Sequence, residues 1–146
     1  LPQGVVDEPV VVGIPRRGEE HPVKADSARL VIHFVLVSVS LGRVFDVAID
    51  IRKESRTFGK WYGVELTQEN QWQLWIEPGL AHGFVVTSDV AHFHYKCTEF
   101  YCPEDEGAIR WDDPEIAINW PILDPELSKK DREAPSFKEY TSTMFE

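Results

Sequence analysis

Apolar and polar residues alternate through much of the middle of the chain. The clearest case is VFDVAIDI (44–51), where apolar residues occupy every second position and aspartates stand between them. A period of two with many β-branched residues predicts a strand. One face of this strand carries Phe45, Val47, Ile49 and Ile51, and the other carries Asp46 and Asp50.

Further segments with strand composition follow at close spacing, separated by clusters of turn-forming residues. They are KWYGVEL (60–66), WQLWIEP (72–78), HGFVVTS (82–88) and AHFHYKCTEFY (91–101). Many short strands at this spacing predict an all-β sandwich or barrel. A short β-like piece stands earlier, at Val10–Val12. After about Pro103, Asp, Glu and Pro dominate, and short turns or helices are expected around PELSKKD (125–131).

The length of 146 residues suits one domain, and 42% hydrophobic with 12% aromatic residues is enough for a core. We therefore expect a single domain over residues 1–146. Residues 1–29 form an N-terminal arm or strand segment, and residues 30–102 form the core of the barrel. Residues 103–146 supply C-terminal strands, turns and short helices.

The charge and the cysteines limit the partners and the location. A net charge of −10 repels nucleic-acid phosphates and anionic lipid, so neither nucleic acid nor membrane is expected as a partner. The longest apolar run, residues 30–41, is shorter than the roughly 20 residues of a membrane helix. No signal peptide is visible, and Cys97 and Cys102 are expected to be reduced thiols. These features predict a cytoplasmic protein.

An ordered set of sequence words covers about residues 42–131. The words are GRVFDVAIDIRKESRTFGKWYGVEL (42–66), QLWIEPGLAHGFVV (73–86), YKCTEFY (95–101), GAIRWDDPEIAINWP (107–121) and LSKKD (127–131). In order and spacing they resemble the dTDP-4-dehydrorhamnose 3,5-epimerase family. The resemblance implies a jelly-roll, cupin-like β-barrel with short helices near the C-terminus. It also implies a homodimer without a cofactor that epimerises a dTDP-4-keto-6-deoxyhexose at C3, C5 or both.

Epimerisation beside a ketone needs a base for the proton on the α carbon and an acid on the opposite face of the sugar. A carboxylate behind a basic histidine fixes its tautomer and stabilises the imidazolium. By the resemblance, Tyr95 matches the family's catalytic tyrosine, the proposed acid. Asp131, in LSKKD, matches the carboxylate that pairs with the basic histidine. His33 is the histidine nearest to the position of the base.

Four residues are predicted to bind substrate. His82, in GLAHGF, matches a family histidine in the substrate cavity, and Arg29 stands at the family's arginine position. Phe100 and Trp111 are assigned as aromatic contacts because aromatics of this family can stack on the thymine base. The alternative for both is a place in the barrel wall.

The chain departs from the family pattern before residue 42. The family carries an R-G-L-H word and then a lysine, and the nearest equivalent here is RLVIH, Arg29 to His33. The position of the lysine falls on Val35, which cannot stabilise an enolate oxygen as a cation does. A second hypothesis is therefore a catalytically impaired relative that binds sugar nucleotides.

A third hypothesis is a metal-dependent cupin. His92, His94 and Glu99 fit an H-x-H-x4-E word, and PGLAH (78–82) loosely resembles the second cupin word. The order of the two words is inverted, however. Strand parity also turns His92 and His94 outward if Tyr95 faces the barrel. The prediction is that no metal is bound.

Overall fold

The computed structural model describes residues 25–31, 34–98 and 107–144. Within these ranges lie eight strands and two short helices. The strands are β1 Ala25–Val31, β2 Val35–Leu41, β3 Arg43–Asp50, β4 Trp61–Thr67, β5 Gln73–Ile76, β6 Leu80–Val86, β7 His92–Cys97 and β8 Ala108–Ile109. The helices are α1 Lys129–Arg132 and α2 Phe137–Met144. Neither helix is long enough to span a membrane.

The strands form two antiparallel sheets. The larger has the order β4-β3-β6-β1-β8, and the smaller has the order β5-β2-β7. The predicted all-β fold is confirmed. Strands β5 and β7 lie within their predicted segments, and β3, β4 and β6 overlap theirs but begin or end one or two residues outside them. The β-like piece at Val10–Val12 lies outside the described residues.

One apolar core lies between the two sheets. Side chains from the inner face of the larger sheet meet those of the smaller sheet, and the fully buried members come from β2, β3, β4 and β5. They are Val37, Val39, Val44, Leu66, Leu74 and Ile76. Where one strand supplies two of these residues, they stand two positions apart, because alternate side chains of a strand point to the same face.

A second core covers the opposite face of the larger sheet. It contains Val47 and Ile49 of β3, against which the C-terminal part of the chain packs Ile116, Phe137 and Tyr140. The apolar face predicted for residues 44–51 is thus the outer face of the sheet. The C-terminal segment keeps that face away from water.

The two helices are fixed at their N-termini. Helix α1 lies within the region where short helices were predicted, and its N-cap is Ser128. Helix α2 lies in residues 103–146, where short helices were predicted, although no sequence pattern indicated its position. Ser136 and Glu139 form a reciprocal capping box there, with Ser136 N donating to Glu139 Oε2 at 2.9 Å and Glu139 N donating to Ser136 Oγ at 3.3 Å. The Phe137 amide also donates to buried Asp113 at 2.8 Å.

Asp50 organises the connection between β3 and β4. Its carboxylate accepts hydrogen bonds from Arg52 Nε and Nη2 at 3.0 and 2.9 Å. It also accepts from Ser55 Oγ at 2.6 Å and Thr57 Oγ1 at 2.5 Å. Burial opposes the charge of this group, but the hydrogen bonds outweigh it and hold the pKa of Asp50 well below its usual range. The turn is therefore built around an ionised carboxylate.

Replacing Asp50 by Asn should lower the free energy of unfolding by about 2–3 kcal/mol at pH 7, because charge-assisted hydrogen bonds are lost. An aspartate whose pKa is depressed in the folded state stabilises the fold at pH values above its pKa in the unfolded state, which is about 3.9. This contribution is lost progressively as the pH falls from there toward the folded-state pKa. Urea unfolding at pH 7 and pH 3 should show a smaller acid loss in Asp50→Asn than in the wild type. The exposed Asp89→Asn is the control, and an equal acid loss in Asp50→Asn would contradict the assignment.

Candidate active site

A histidine–carboxylate pair lies on the inner face of the larger sheet. His82 Nε2 of β6 is 2.9 Å from Asp46 Oδ1 of β3 and 3.0 Å from Asp46 Oδ2. Asp46 is fully buried, and the side chain of His82 is 15% exposed. The carboxylate of the pair is thus shielded from water, and the imidazole is in contact with solvent.

The strand register explains how the sequence brings these two residues together. Asp46 pairs across the ladder with Phe84, and His82 pairs with Ala48. Asp46 and His82 are therefore diagonal neighbours on one face, within reach of a long side chain. The alternation of β3 turns Asp46 inward because Val47 and Ile49 must face the outer core.

Burial raises the pKa of Asp46, and the charge and hydrogen bond of His82 act in the opposite direction without cancelling the rise. A buried carboxyl of raised pKa beside an imidazole is a place where a proton can be held and exchanged between two groups. This gives the inner face an acid–base capacity that its apolar surroundings lack.

Aromatic rings hold the His82 imidazole in place. The rings of Phe84 and Phe93 stack with centroids 4.4 Å apart. The His82 ring stacks on both, with centroids 6.3 Å from Phe84 and 6.2 Å from Phe93. Since Phe93 belongs to β7, the stack also connects the pair to the smaller sheet.

Tyr95 lies on β7, two residues beyond Phe93 and on the same face. It pairs directly with Val37, which belongs to the core between the sheets. The ladder therefore gives Tyr95 the inward parity that the sequence predicts for it. Its side chain is nevertheless 70% exposed. Its role as the acid stays a prediction.

The histidines of HFHYKC lie on the other face of β7. His94 pairs with Ser38, and its Nε2 is 2.6 Å from Ser40 Oγ. The third member of the predicted metal word, Glu99, lies outside the described residues. Within the described part of the chain, no group of three or more His, Cys, Asp or Glu side chains could hold a metal ion.

Asp131 and Trp111 lie in the C-terminal segment. Asp131 is buried in α1, where Ser128 Oγ donates to Asp131 Oδ2 at 2.5 Å and the Asp131 amide donates back to Ser128 Oγ at 3.2 Å. The carbonyl of Trp111 accepts from Trp120 Nε1 at 2.7 Å. Both indoles line a crevice together with Phe84 and Val85 of β6. Trp120 packs against Phe45 and the outer core, so the crevice lies on the side of the larger sheet that the C-terminal segment covers.

Three predicted site residues fall wholly or partly outside the described residues. His33 and Phe100 are not described, so the predicted pairing of His33 with Asp131 stays a prediction. For Arg29 the structure gives the backbone alone, in β1, where it pairs directly with His82 of β6. Two residues predicted to bind substrate are thus opposite each other in one ladder.

Asp46 is the site residue that the sequence analysis missed. It was recognised as part of the polar face of a strand, but it was given no role. The available signal was an aspartate at an inward position of a strand flanked by apolar residues, since an unpaired charge is rarely buried. A partner had to exist, but its identity depends on the register between β3 and β6.

Known proteins resemble the chain in sequence and in fold. The family profile described as dTDP-4-dehydrorhamnose 3,5-epimerase matches residues 31–139. An enzyme of that name from Pseudomonas aeruginosa is 54% identical over 103 residues, which cover 70% of this chain and 57% of that protein. The chain thus spans a little over half the length of this curated relative.

Two crystal structures extend the comparison. The dTDP-4-dehydrorhamnose 3,5-epimerase of Elizabethkingia anophelis gives a TM-score of 0.77 at 44% identity, covering 80% of this chain and 67% of that one. An epimerase of Legionella pneumophila, in complex with dTDP-4-keto-L-rhamnose, gives 0.70 at 38% identity, covering 90% and 86%. Fold and site together define a jelly-roll, cupin-type protein with a buried His–Asp pair between its sheets. Within that class, the chain belongs to the dTDP-4-dehydrorhamnose 3,5-epimerase family.

Replacing His82 by Leu should lower the free energy of unfolding by about 3–5 kcal/mol, because the buried Asp46 carboxylate loses the partner of both its oxygens. The double variant Asp46→Leu/His82→Leu should lose clearly less than the sum of the single variants. Urea unfolding of the two single variants, the double variant and the wild type measures this coupling.

The matched control is the exposed pair Ser40–His94, replaced as Ser40→Ala and His94→Leu. Its coupling should stay below about 1 kcal/mol, because water replaces an exposed hydrogen bond. Additive losses at Asp46 and His82, within about 0.5 kcal/mol, would show that the two groups do not depend on each other.

Proposed function

We propose that the chain epimerises a dTDP-4-keto-6-deoxyhexose at C3, C5 or both, as an isomerase of dTDP-L-rhamnose or related deoxysugar biosynthesis. The observation that carries the proposal is the buried Asp46–His82 pair on the inner face, linked through Phe93 to the strand of Tyr95. Family membership supports it, and the Legionella relative was crystallised with dTDP-4-keto-L-rhamnose.

In the proposed mechanism, a base removes the proton next to the ketone and an acid returns one on the opposite face. We assign the base to His33 with Asp131 behind it, and the acid to Tyr95. The exposure of Tyr95 supports this role, because an accessible phenol can be reprotonated from water between turnovers.

The substrate is proposed to contact His82, Arg29, Phe100 and Trp111. Support comes from the direct pairing of Arg29 with His82 and from the position of Trp111 in an apolar crevice. The crevice offers apolar walls of the kind that bind a base or a sugar face. No cofactor enters the proposed reaction, since proton transfer alone inverts a carbon beside a ketone.

A second candidate function is a sugar-nucleotide-binding protein with impaired catalysis. It is favoured by Val35, which packs against the core between the sheets at the position where the family resemblance implies a lysine. An apolar side chain at this point cannot supply a cation to the enolate, and such a cation contributes several kcal/mol in a site without water.

Deuterium exchange separates the two candidates. In D2O, the wild type should introduce deuterium at C3 or C5 of dTDP-4-keto-6-deoxyglucose, as followed by NMR. Replacing Tyr95 by Phe should leave exchange at the first carbon and reduce product formation at least about 10-fold, because the returning proton is missing. The control is Tyr140→Phe, which removes a phenol from the opposite face of the larger sheet.

Each outcome has a distinct meaning. Binding of the sugar nucleotide by the wild type without exchange above the blank would favour the second candidate. Unaltered product formation by Tyr95→Phe would remove Tyr95 from the mechanism. Equal losses in Tyr95→Phe and Tyr140→Phe would point to a general effect of losing a phenol.

We also propose that the protein is a cytoplasmic homodimer. The exposed thiol of Cys97 supports a reducing compartment. Phe34 and Trp75 stack with centroids 5.1 Å apart, and Trp75 belongs to the outer face of the smaller sheet because it pairs with Leu36. A partly exposed aromatic pair is a favourable site for contact with a second copy.

Light scattering should give twice the mass of the chain for the wild type. Phe34→Glu should shift the mass toward that of the monomer, because a charge would be buried in the contact. Leu123→Glu, at an apolar residue that is almost fully exposed, is the control and should leave the dimer intact. A monomeric wild type would contradict the proposal.

A further inference from the structure

A row of three side chains crosses the inner face of the larger sheet beside the buried pair. Ala48 of β3 pairs with Tyr62 of β4 on one side and with His82 of β6 on the other. Directly opposed residues of a ladder share a face, and Ala48 packs against the core between the sheets. Tyr62, Ala48 and His82 therefore all lie on the face that carries Asp46.

This inner face is closed at one end and open at the other. Along β4, Leu66 is fully buried, Val64 is half-buried and Tyr62 is 41% exposed. On the opposite sheet, Tyr95 is also exposed. The end of the site that carries Tyr62 is therefore the end that water and ligands reach.

The three side chains of this row differ in size. Two strand spacings place the backbones at Tyr62 and His82 about 9.5 Å apart. Between them, Ala48 contributes a single methyl group, and the two flanking residues contribute rings. The row thus has a small apolar floor and two ring walls, with a phenol hydroxyl on one wall and an imidazole on the other.

We propose that Tyr62 is a substrate-binding residue that contacts the hexose of the sugar nucleotide. Its ring packs against the apolar face of the sugar above Ala48, and its hydroxyl forms a hydrogen bond with a sugar oxygen. The inference rests on the proposed function and adds a residue that the resemblance did not assign. Because the contact is with the sugar alone, loss of the Tyr62 side chain should weaken the binding of the sugar nucleotide but not that of the nucleotide without its sugar.

Titration calorimetry with two non-reacting ligands, dTDP-glucose and dTDP, tests the contact. Tyr62→Ala should raise the Kd of dTDP-glucose at least about 10-fold, and Tyr62→Phe should raise it about 3- to 10-fold through loss of one hydrogen bond. The Kd of dTDP should stay within about 2-fold of the wild-type value. The control is Glu65→Ala, on the same strand but on the outer face, opposite Phe45.

A larger side chain at position 48, between Tyr62 and His82, provides an independent variant. Ala48→Leu should weaken the binding of dTDP-glucose as strongly as Tyr62→Ala does, and it should leave the Kd of dTDP unchanged. With the keto sugar, Tyr62→Ala should raise KM by the same factor as the Kd and keep kcat within about 2-fold, since the contact exists before and during the reaction. Should Tyr62→Ala fail to fold, Tyr62→Phe carries the comparison.

The failure of this inference differs from the failure of the proposed function. An unchanged Kd of dTDP-glucose in the Tyr62 variants overturns the inference, and so does an equal loss of dTDP. If the wild type binds dTDP-glucose but exchanges no deuterium, the epimerase proposal is overturned. The Kd values of the Tyr62 variants then still decide whether Tyr62 contacts the sugar. A wild type that binds neither ligand overturns both.

Discussion

The alternation of side chains along β3 is the constraint on which both apolar cores of the molecule depend. Val47 and Ile49 face the C-terminal layer, and Val44 and Asp46 face the smaller sheet. A slip of one residue would exchange these two sets and bury the wrong side chains on both faces. Asp46 is held in the site because its apolar neighbours must be buried on the other side.

Three buried carboxylates, Asp46, Asp50 and Asp113, differ in the groups that donate hydrogen bonds to them. Asp50 and Asp113 accept hydrogen bonds from backbone amides, hydroxyls or a guanidinium, and these groups fix turns and the start of α2. Asp46 is bonded through both its oxygens to a histidine, a group that itself takes up and releases protons near neutral pH. The donors around Asp50 and Asp113 therefore stabilise a fixed charge, whereas the imidazole beside Asp46 is a group that can exchange a proton with it.

Short-range patterns predicted most of the fold. A period of two identified β3, and residue composition identified β4 to β7, because both signals are local. The capping box at Ser136 and Glu139 would also have indicated α2, although the acidic, proline-rich surroundings hid it. The site was less accessible. The contact of His82 with Asp46 joins residues 36 positions apart and depends on a register that no local pattern specifies. Family resemblance directed attention to His82, but the carboxylate that holds it became visible only in the ladder.

The two cores share one sheet, and this has a consequence for how the molecule unfolds. Helix α2 lies near the end of the described chain, where fraying is usual, yet Phe137 and Tyr140 cover the back of the strands whose front carries the site. Opening that layer would wet the outer face of β3 and weaken the same ladder that positions Asp46 against His82. The C-terminal helix and the site therefore belong to one cooperative unit. Loss of protection against amide exchange in α2 should be accompanied by loss of protection in the strands that carry the site.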